Sequence, residues 1–125
     1  MVNSEQFKDK VKESISQDYG IEFLGKNFDQ IVSLMSDSLA EMIYNWIKEV
    51  VNKSIQPITV GSKKPYKEWT INQLLVFRYP FQVNKVEYRI LFVKIKNSIY
   101  LEFHLGDHNY YDKIRRELDL KKGNY

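Results

Sequence analysis

The chain has 125 residues, of which 43% are hydrophobic, 28% charged and 14% aromatic; this length suits one core, and this composition excludes a largely disordered chain. It contains no cysteine, which removes disulfide scaffolds, thiolate nucleophiles and Cys-based zinc sites together. The net charge of +3 hides an asymmetry, because residues 1–59 carry 6 Lys+Arg against 9 Asp+Glu while residues 60–125 carry 13 against 7, so the basic half is the one suited either to phosphates or to a solvated lysine-rich face.

No apolar run approaches the length of a membrane span, and the N-terminus MVNSEQFKDK is too polar for a secretory signal. A cytoplasmic protein without a membrane partner is expected. Ser4 is placed to cap a helix running to about Ser16, with Phe7, Val11 and Ile15 as its apolar stripe. This helix reads as an extension, over about residues 1–20, of a single domain spanning 1–125. Gly20 ends the pattern, and Ile21–Leu24 forms a short strand candidate. From Phe28 to Val50 apolar residues keep a helical period, with Met42, Ile43 and Trp46 in the core stripe. Ser36-Asp37-Ser38 leaves two arrangements open, one long helix or a pair broken near Ser36. Residues 57–70 hold two prolines, a glycine and the lysines Lys63, Lys64 and Lys67, and are expected to be an exposed, flexible, basic connection.

After residue 73 the period changes to alternation. Leu74–Phe81, Glu87–Ile95 and Ser98–Leu105 predict three antiparallel strands in a meander, and Asn109–Leu118 can form a short C-terminal helix. Pro80 has no N–H to donate, so it belongs near a strand end or on an open edge. A turn around Lys96-Asn97 sets Arg89 opposite His104. Ile90, Phe92, Leu101, Phe103 and Leu105 then share one face. The other face receives Arg89, Leu91, Tyr100, Glu102 and His104, and the preceding strand adds Arg78 to it. The expected fold is α+β, with the N-terminal helices on one face of a small antiparallel sheet and the polar face left for ligand.

The segment from Gly106 to Lys113 adds His108, Tyr110 and Tyr111 beyond the sheet edge. This inventory suits RNA cleavage by the neighbouring 2′-hydroxyl, in which one group takes the hydroxyl proton, another protonates the leaving 5′-oxygen and cations stabilise the pentavalent phosphate. His and Tyr can move protons, and Arg can clamp phosphate oxygens. His104 is a candidate base as well as a structural hydrogen-bonding residue. Arg78, Lys63, Lys64, Lys67, Lys113, Arg115 and Arg116 supply generic attraction for an RNA backbone or form solvated faces. Tyr110 can simply pack under the last helix. His104, Asp107, His108 and Asp112 are metal-ligand types, but their spacing matches no recognised site, so no metal is expected. The five glycines never cluster into a phosphate loop, and neither nucleotide hydrolysis nor a cofactor is expected.

The run VEYRILFVKIKNSIYLEFHLGDHNYYDKI resembles the C-terminal half of the RelE/ParE superfamily of toxin–antitoxin toxins, in which a Tyr-Arg strand leads through a hairpin to a strand ending in Gly and a Tyr-containing tail. The tail Gly106-Asp107-His108-Asn109-Tyr110-Tyr111-Asp112-Lys113-Ile114 is similar to the HigB-like branch, with its pattern Gly-x-His-x-x-Tyr-Asp-Lys-Ile. The resemblance covers about residues 74–118. It implies a RelE-like fold and a toxin endoribonuclease that cuts mRNA, often at the ribosome, and is neutralised by a cognate antitoxin. It implies further that Arg89 stabilises the scissile phosphate while His108 and Tyr111 transfer protons or stack on bases. Three features depart from the family: a net charge of only +3, Arg78 and Pro80 where a lysine pair is usual, and the additional N-terminal helix. ParE-like members poison gyrase without nuclease activity, so a non-enzymatic interaction protein is the alternative.

Overall fold

A computed structural model of the chain describes residues 2–15, 18–52, 58–61, 73–95 and 100–117. In chain order the elements are α1 (Ser4–Glu13), β1 (Gly20–Leu24), α2 (Phe28–Ser33), α3 (Asp37–Val51), β2 (Ile58–Gly61), β3 (Gln73–Val83), β4 (Val86–Ile95), β5 (Tyr100–Asp107) and α4 (His108–Glu117). The strands form one sheet in the order β1-β5-β4-β3-β2. The fold is α+β as expected, but the sheet is mixed, because β1 runs parallel to β5 while the other pairs are antiparallel. None of the helices is long and apolar enough to cross a membrane, among the described residues.

Local chemistry sets the helix starts. Asn3, rather than Ser4, caps α1, its side chain accepting from the backbone N–H of Glu5 and Gln6; an amide oxygen satisfies N-terminal donors as well as a hydroxyl does. Of the two arrangements open around Ser36, the helical pair is the observed one. Ser36 is extended and its Oγ accepts from Leu39 N at 3.1 Å, so α3 starts anew after α2. Met42, placed by its period in the core stripe, is 57% exposed, while Ala40 and Tyr44 are buried with Ile43 and Trp46. The buried stripe of α3 is thus rotated away from Met42, towards the 40–44–47 side.

The main core lies between α1–α3 and one face of the sheet. Phe7 of α1, Phe28 of α2 and Phe103 of β5 meet edge to face, and Trp46 of α3 packs on Tyr79 and Phe92. Each such ring contributes roughly 1.5–3 kcal/mol by leaving water. Phe77, Phe81, Ile90, Leu101 and Leu105 complete this face, as the alternation predicts. β3 and β4 are joined by the two-residue turn Asn84-Lys85, both residues with positive φ of 52° and 67°; this turn conformation matches the twist of a hairpin. β2 pairs with residues 73–76 of β3, so Pro80, further along β3, lies beyond the paired stretch, where its missing donor costs no ladder bond.

Residues 58–61, part of the expected flexible connection, form β2 instead. The rest of that connection, with Lys63, Lys64 and Lys67, lies outside the described residues, as does the Lys96-Asn97 turn. The opposite sheet face is not an open ligand face. Val76, Leu91, Val93, Glu102 and His104 are all buried there, and α4 packs against β4 and β5.

Candidate functional site

The β4–β5 register differs from the expected one by two residues. Arg89 stands opposite Gly106, and His104 stands opposite Leu91. A two-residue shift preserves which face each side chain takes, so Arg78, Arg89, Glu102 and His104 still share a face, with Arg89 and His104 as diagonal rather than direct neighbours. Opposition to Gly106 leaves room above the glycine, and α4 uses it. A Cβ at Gly106 would lie 2.5–2.6 Å from side-chain carbons of Tyr110; the absent side chain lets the first turn of α4 lie close against β5. Asp107 ends the strand, and its carboxylate accepts from Tyr110 N at 3.0 Å. That is an N-cap geometry, and it starts the helix at His108.

α4 therefore separates two polar groups. On one side are His108, Tyr111 and Arg115, at helical spacings of three and four, facing Arg78 and Arg89 of the sheet. The Arg89 guanidinium lies over the Tyr111 ring, 4.5 Å from its centroid, a cation–π arrangement. Its Nη1 donates to His108 Nδ1 at 3.0 Å, and its Nη2 is 2.6 Å from Glu87 Oε1. Arginine can only donate, so His108 Nδ1 is the acceptor nitrogen, and the ring proton belongs on Nε2, 3.2 Å from Asp112 Oδ2. The Arg89 Nε and the Tyr111 hydroxyl are buried without a hydrogen-bond partner among the described residues. Burial pushes the Tyr111 phenol up, and the charges of Arg78, Arg89 and Arg115 act against that shift. Arg115 also lies 3.5 Å from Asp112.

On the other side of α4 a hydrogen-bonded row runs across β5. Tyr100 Oη donates towards Glu22 of β1 and lies 3.0 Å from Glu102 Oε2; Glu102 Oε1 is 3.0 Å from His104 Nε2; and His104 Nδ1 is 2.9 Å from Tyr110 Oη. Glu102 and His104 are 1% and 4% exposed, a depth at which a carboxylate needs such partners. Burial, then the two carboxylates, push the Tyr100 phenol far above its ordinary value. Burial, with Glu117 and Glu102, raises Tyr110 to about 12. The row ends at a cleft of about 980 Å³, bounded by the β1–α2 connection, the start of β4 and α4, with His104 and Tyr110 in its wall.

Of the four expected catalytic residues, Arg89, His108 and Tyr111 thus come together, and His104 belongs to the other group. Among the expected RNA-binding residues Arg78 and Arg115 flank Tyr111, whereas Lys113 and Arg116 are exposed on α4. Lys113 borders the cleft. The metal-ligand types His104, Asp107, His108 and Asp112 are dispersed among separate tasks, and no group of three or more His, Cys, Asp or Glu is arranged to hold a metal among the described residues. Glu102, Asp107 and Tyr110 lie outside the expected catalytic and RNA-binding sets, although Glu102 was placed on the polar face and Tyr110 beyond the sheet edge. Tyr100-x-Glu102-x-His104, three polar residues at period two in an apolar strand, is the signal that points to the row. Comparison of the chain with protein-family models, with curated proteins and with solved structures finds no match.

Proposed function

We propose that the Arg89–His108–Tyr111 site binds an RNA phosphodiester and cleaves it, and that the protein is a RelE/ParE-type toxin of the HigB-like branch acting on mRNA in the cytoplasm, with the ribosome and a cognate antitoxin as partners. The observation that carries this reading is the Tyr111 hydroxyl, buried and unpartnered among the described residues, with three guanidinium groups acting on it. A buried hydroxyl left unpaired costs about 1–3 kcal/mol, and an anionic oxygen is the partner that so much positive charge favours.

The chemistry follows from the hydrogen-bond directions. Arg89 exchanges His108 for a phosphate oxygen, and His108 Nδ1 is thereby released to take the proton of the 2′-hydroxyl, with Asp112 holding the Nε2 proton. The 2′-oxygen attacks phosphorus and the bond to the 5′-oxygen breaks. That oxygen takes the Tyr111 proton, and the resulting phenolate is stabilised by Arg78, Arg89 and Arg115. The products are a 2′,3′-cyclic phosphate and a 5′-hydroxyl, and proton return from His108 to Tyr111 closes the cycle. Loss of a charge-stabilising donor typically lowers the rate by about 10²–10³. Arg89→Ala should therefore abolish growth arrest and the transcript ends seen by primer extension after induction. Intact transcripts during arrest by the wild type, or full toxicity of Arg89→Ala, would remove the nuclease reading.

The contacts of Arg89 with Glu87, His108 and Tyr111 also clasp α4 to the sheet, which favours a second reading, a non-cleaving relative that binds a protein target such as gyrase. Inhibition of gyrase supercoiling by the purified protein separates the two.

A further inference from the structure

The row Glu102–His104–Tyr110 sits outside the proposed cleavage site and ends on the cleft. The chain has two histidines; His108 belongs to the cleavage site, and His104 is buried between a carboxylate and a phenol. Glu102 Oε1, facing His104 Nε2 at 3.0 Å, accepts a proton-bearing nitrogen when it is ionised. That leaves two states of the row. With a neutral ring, Nδ1 is an acceptor and the Tyr110 hydroxyl spends its only proton on it, so the cleft faces a phenol oxygen that can only accept. With a protonated ring, Nδ1 donates to the Tyr110 oxygen, and the hydroxyl proton turns to the cleft.

We propose that His104 sets whether Tyr110 donates or accepts in the cleft, and that the cleft takes a nucleobase, whose carbonyl or ring nitrogen is bound when His104 is protonated. The ligand class rests on the RNA reading above and on the cleft wall. Asn27, Gln30, Asn109 and Tyr88 line it with Tyr110, and unstacked bases are bound by aromatic side chains together with hydrogen-bonding groups on their edges. The volume falls at the upper end of small-ligand sites.

The charged and titratable surroundings of His104 do not duplicate its role. Glu102 contacts it from its own strand, with Tyr100 and Glu22 behind it. Arg89 stands diagonally on β4. Tyr110, Lys113 and Glu117 come from α4, and Lys26 and Asp107 from the cleft edges. Tyr110, raised to about 12, keeps its proton in both states of the row.

The test uses nucleosides, adenosine and uridine, because they carry no phosphate for the arginine side. The His104 ring resonance is followed by NMR against pH, with and without nucleoside, and His108 serves as the internal control. Binding to the protonated state displaces the His104 titration upward, by about one unit for a tenfold preference. The same preference weakens nucleoside binding by up to about tenfold as the ring loses its proton. Tyr110→Phe keeps the ring over Gly106 and should abolish both effects. Arg89→Ala should retain both, so loss of RNA cleavage and failure of this inference are read separately. Nucleoside that leaves the cleft resonances unmoved, affinity independent of pH, or an unchanged displacement in Tyr110→Phe would each overturn the proposal.

Discussion

Tyr110 and Tyr111 are consecutive residues of one helix, yet their hydroxyls sit in opposite circumstances. Tyr110 closes a hydrogen-bonded row in which every link has a carboxylate, imidazole or phenol partner. The Tyr111 hydroxyl has no partner among the described residues and is surrounded by arginine charge. A fully paired buried network specifies one placement of the elements it joins, and a half-paired one is a standing cost unless a ligand completes it. The row therefore reads as what positions α4 on β5, and the arginine side as what that position is for.

Breaking the row should produce the largest loss of stability. Glu102→Ala removes the acceptor for a buried imidazole, and removal of one partner from a buried pair typically costs about 3–5 kcal/mol. The urea midpoint should fall at unchanged slope, the mark of lost stability without a changed unfolded state. A double replacement of Glu102 and His104 by leucine should recover much of that loss, since the apolar pair removes the buried carboxylate and imidazole together and deprives only the Tyr110 hydroxyl, beside the cleft, of its partner. A double variant as unstable as Glu102→Ala would mean that the row contributes through something other than mutual satisfaction.

Next in size is Gly106→Ala. Its Cβ would lie 2.6 Å from both Cβ and Cγ of Tyr110. Cβ is fixed to the helix backbone, so rotation of the ring cannot relieve the contact and α4 itself must shift. Overpacking of this kind costs about 1–3 kcal/mol. Both tyrosines ride on the same turn, so the variant should weaken the Arg89–Tyr111 contact as well as the row, visible as a joint loss of thermal stability and of the proposed RNA cleavage. Loss of stability alone would show that the two sides of α4 are less tightly coupled than their adjacency implies.

What could be read in advance divides along the same line. Face assignment in β3, β4 and β5 follows from alternation alone, and it survives a register error of two residues because parity is unchanged. The expected direct opposition of Arg89 and His104 failed, since the exact register depends on a turn whose length the sequence leaves open. The parallel partner β1 is only five residues long, and its membership in the sheet is decided by tertiary contacts such as Gly25, where a Cβ would lie 2.1 Å from the Leu105 carbonyl oxygen. Arg89, His108 and Tyr111 were singled out by the Tyr-Arg strand and the Gly-x-His-x-x-Tyr tail, and they meet because a strand position and a helical spacing of three converge on one place. The Glu102–His104–Tyr110 row was half legible. Its strand residues share a face by period two, but Tyr110 joins them only because Gly106 and the Asp107 cap begin α4 without a loop.

The smallest and most diagnostic effect is that of Tyr111→Phe. The ring remains for Arg89 to cover, and only the unpartnered oxygen goes. Since an unpaired buried hydroxyl is itself unfavourable, stability at neutral pH should be unchanged or rise by up to about 1 kcal/mol. Burial holds the Tyr111 phenol above its ordinary value of 10.0 despite the nearby arginines. The unfolded chain therefore releases this proton first as pH rises past that value, so the residue's contribution is intact below it and is lost above it. The variant should lack this share of the alkaline decline, as measured by urea unfolding on either side of about pH 10. Cleavage, in contrast, should fall by about 10²–10⁴ if the phenol is the acid for the leaving oxygen. Activity lost while stability holds or rises is the pattern of a group retained for a ligand. Stability lost with the hydroxyl would show instead that the oxygen has a structural partner, and the arginine side would then be a clasp like the row.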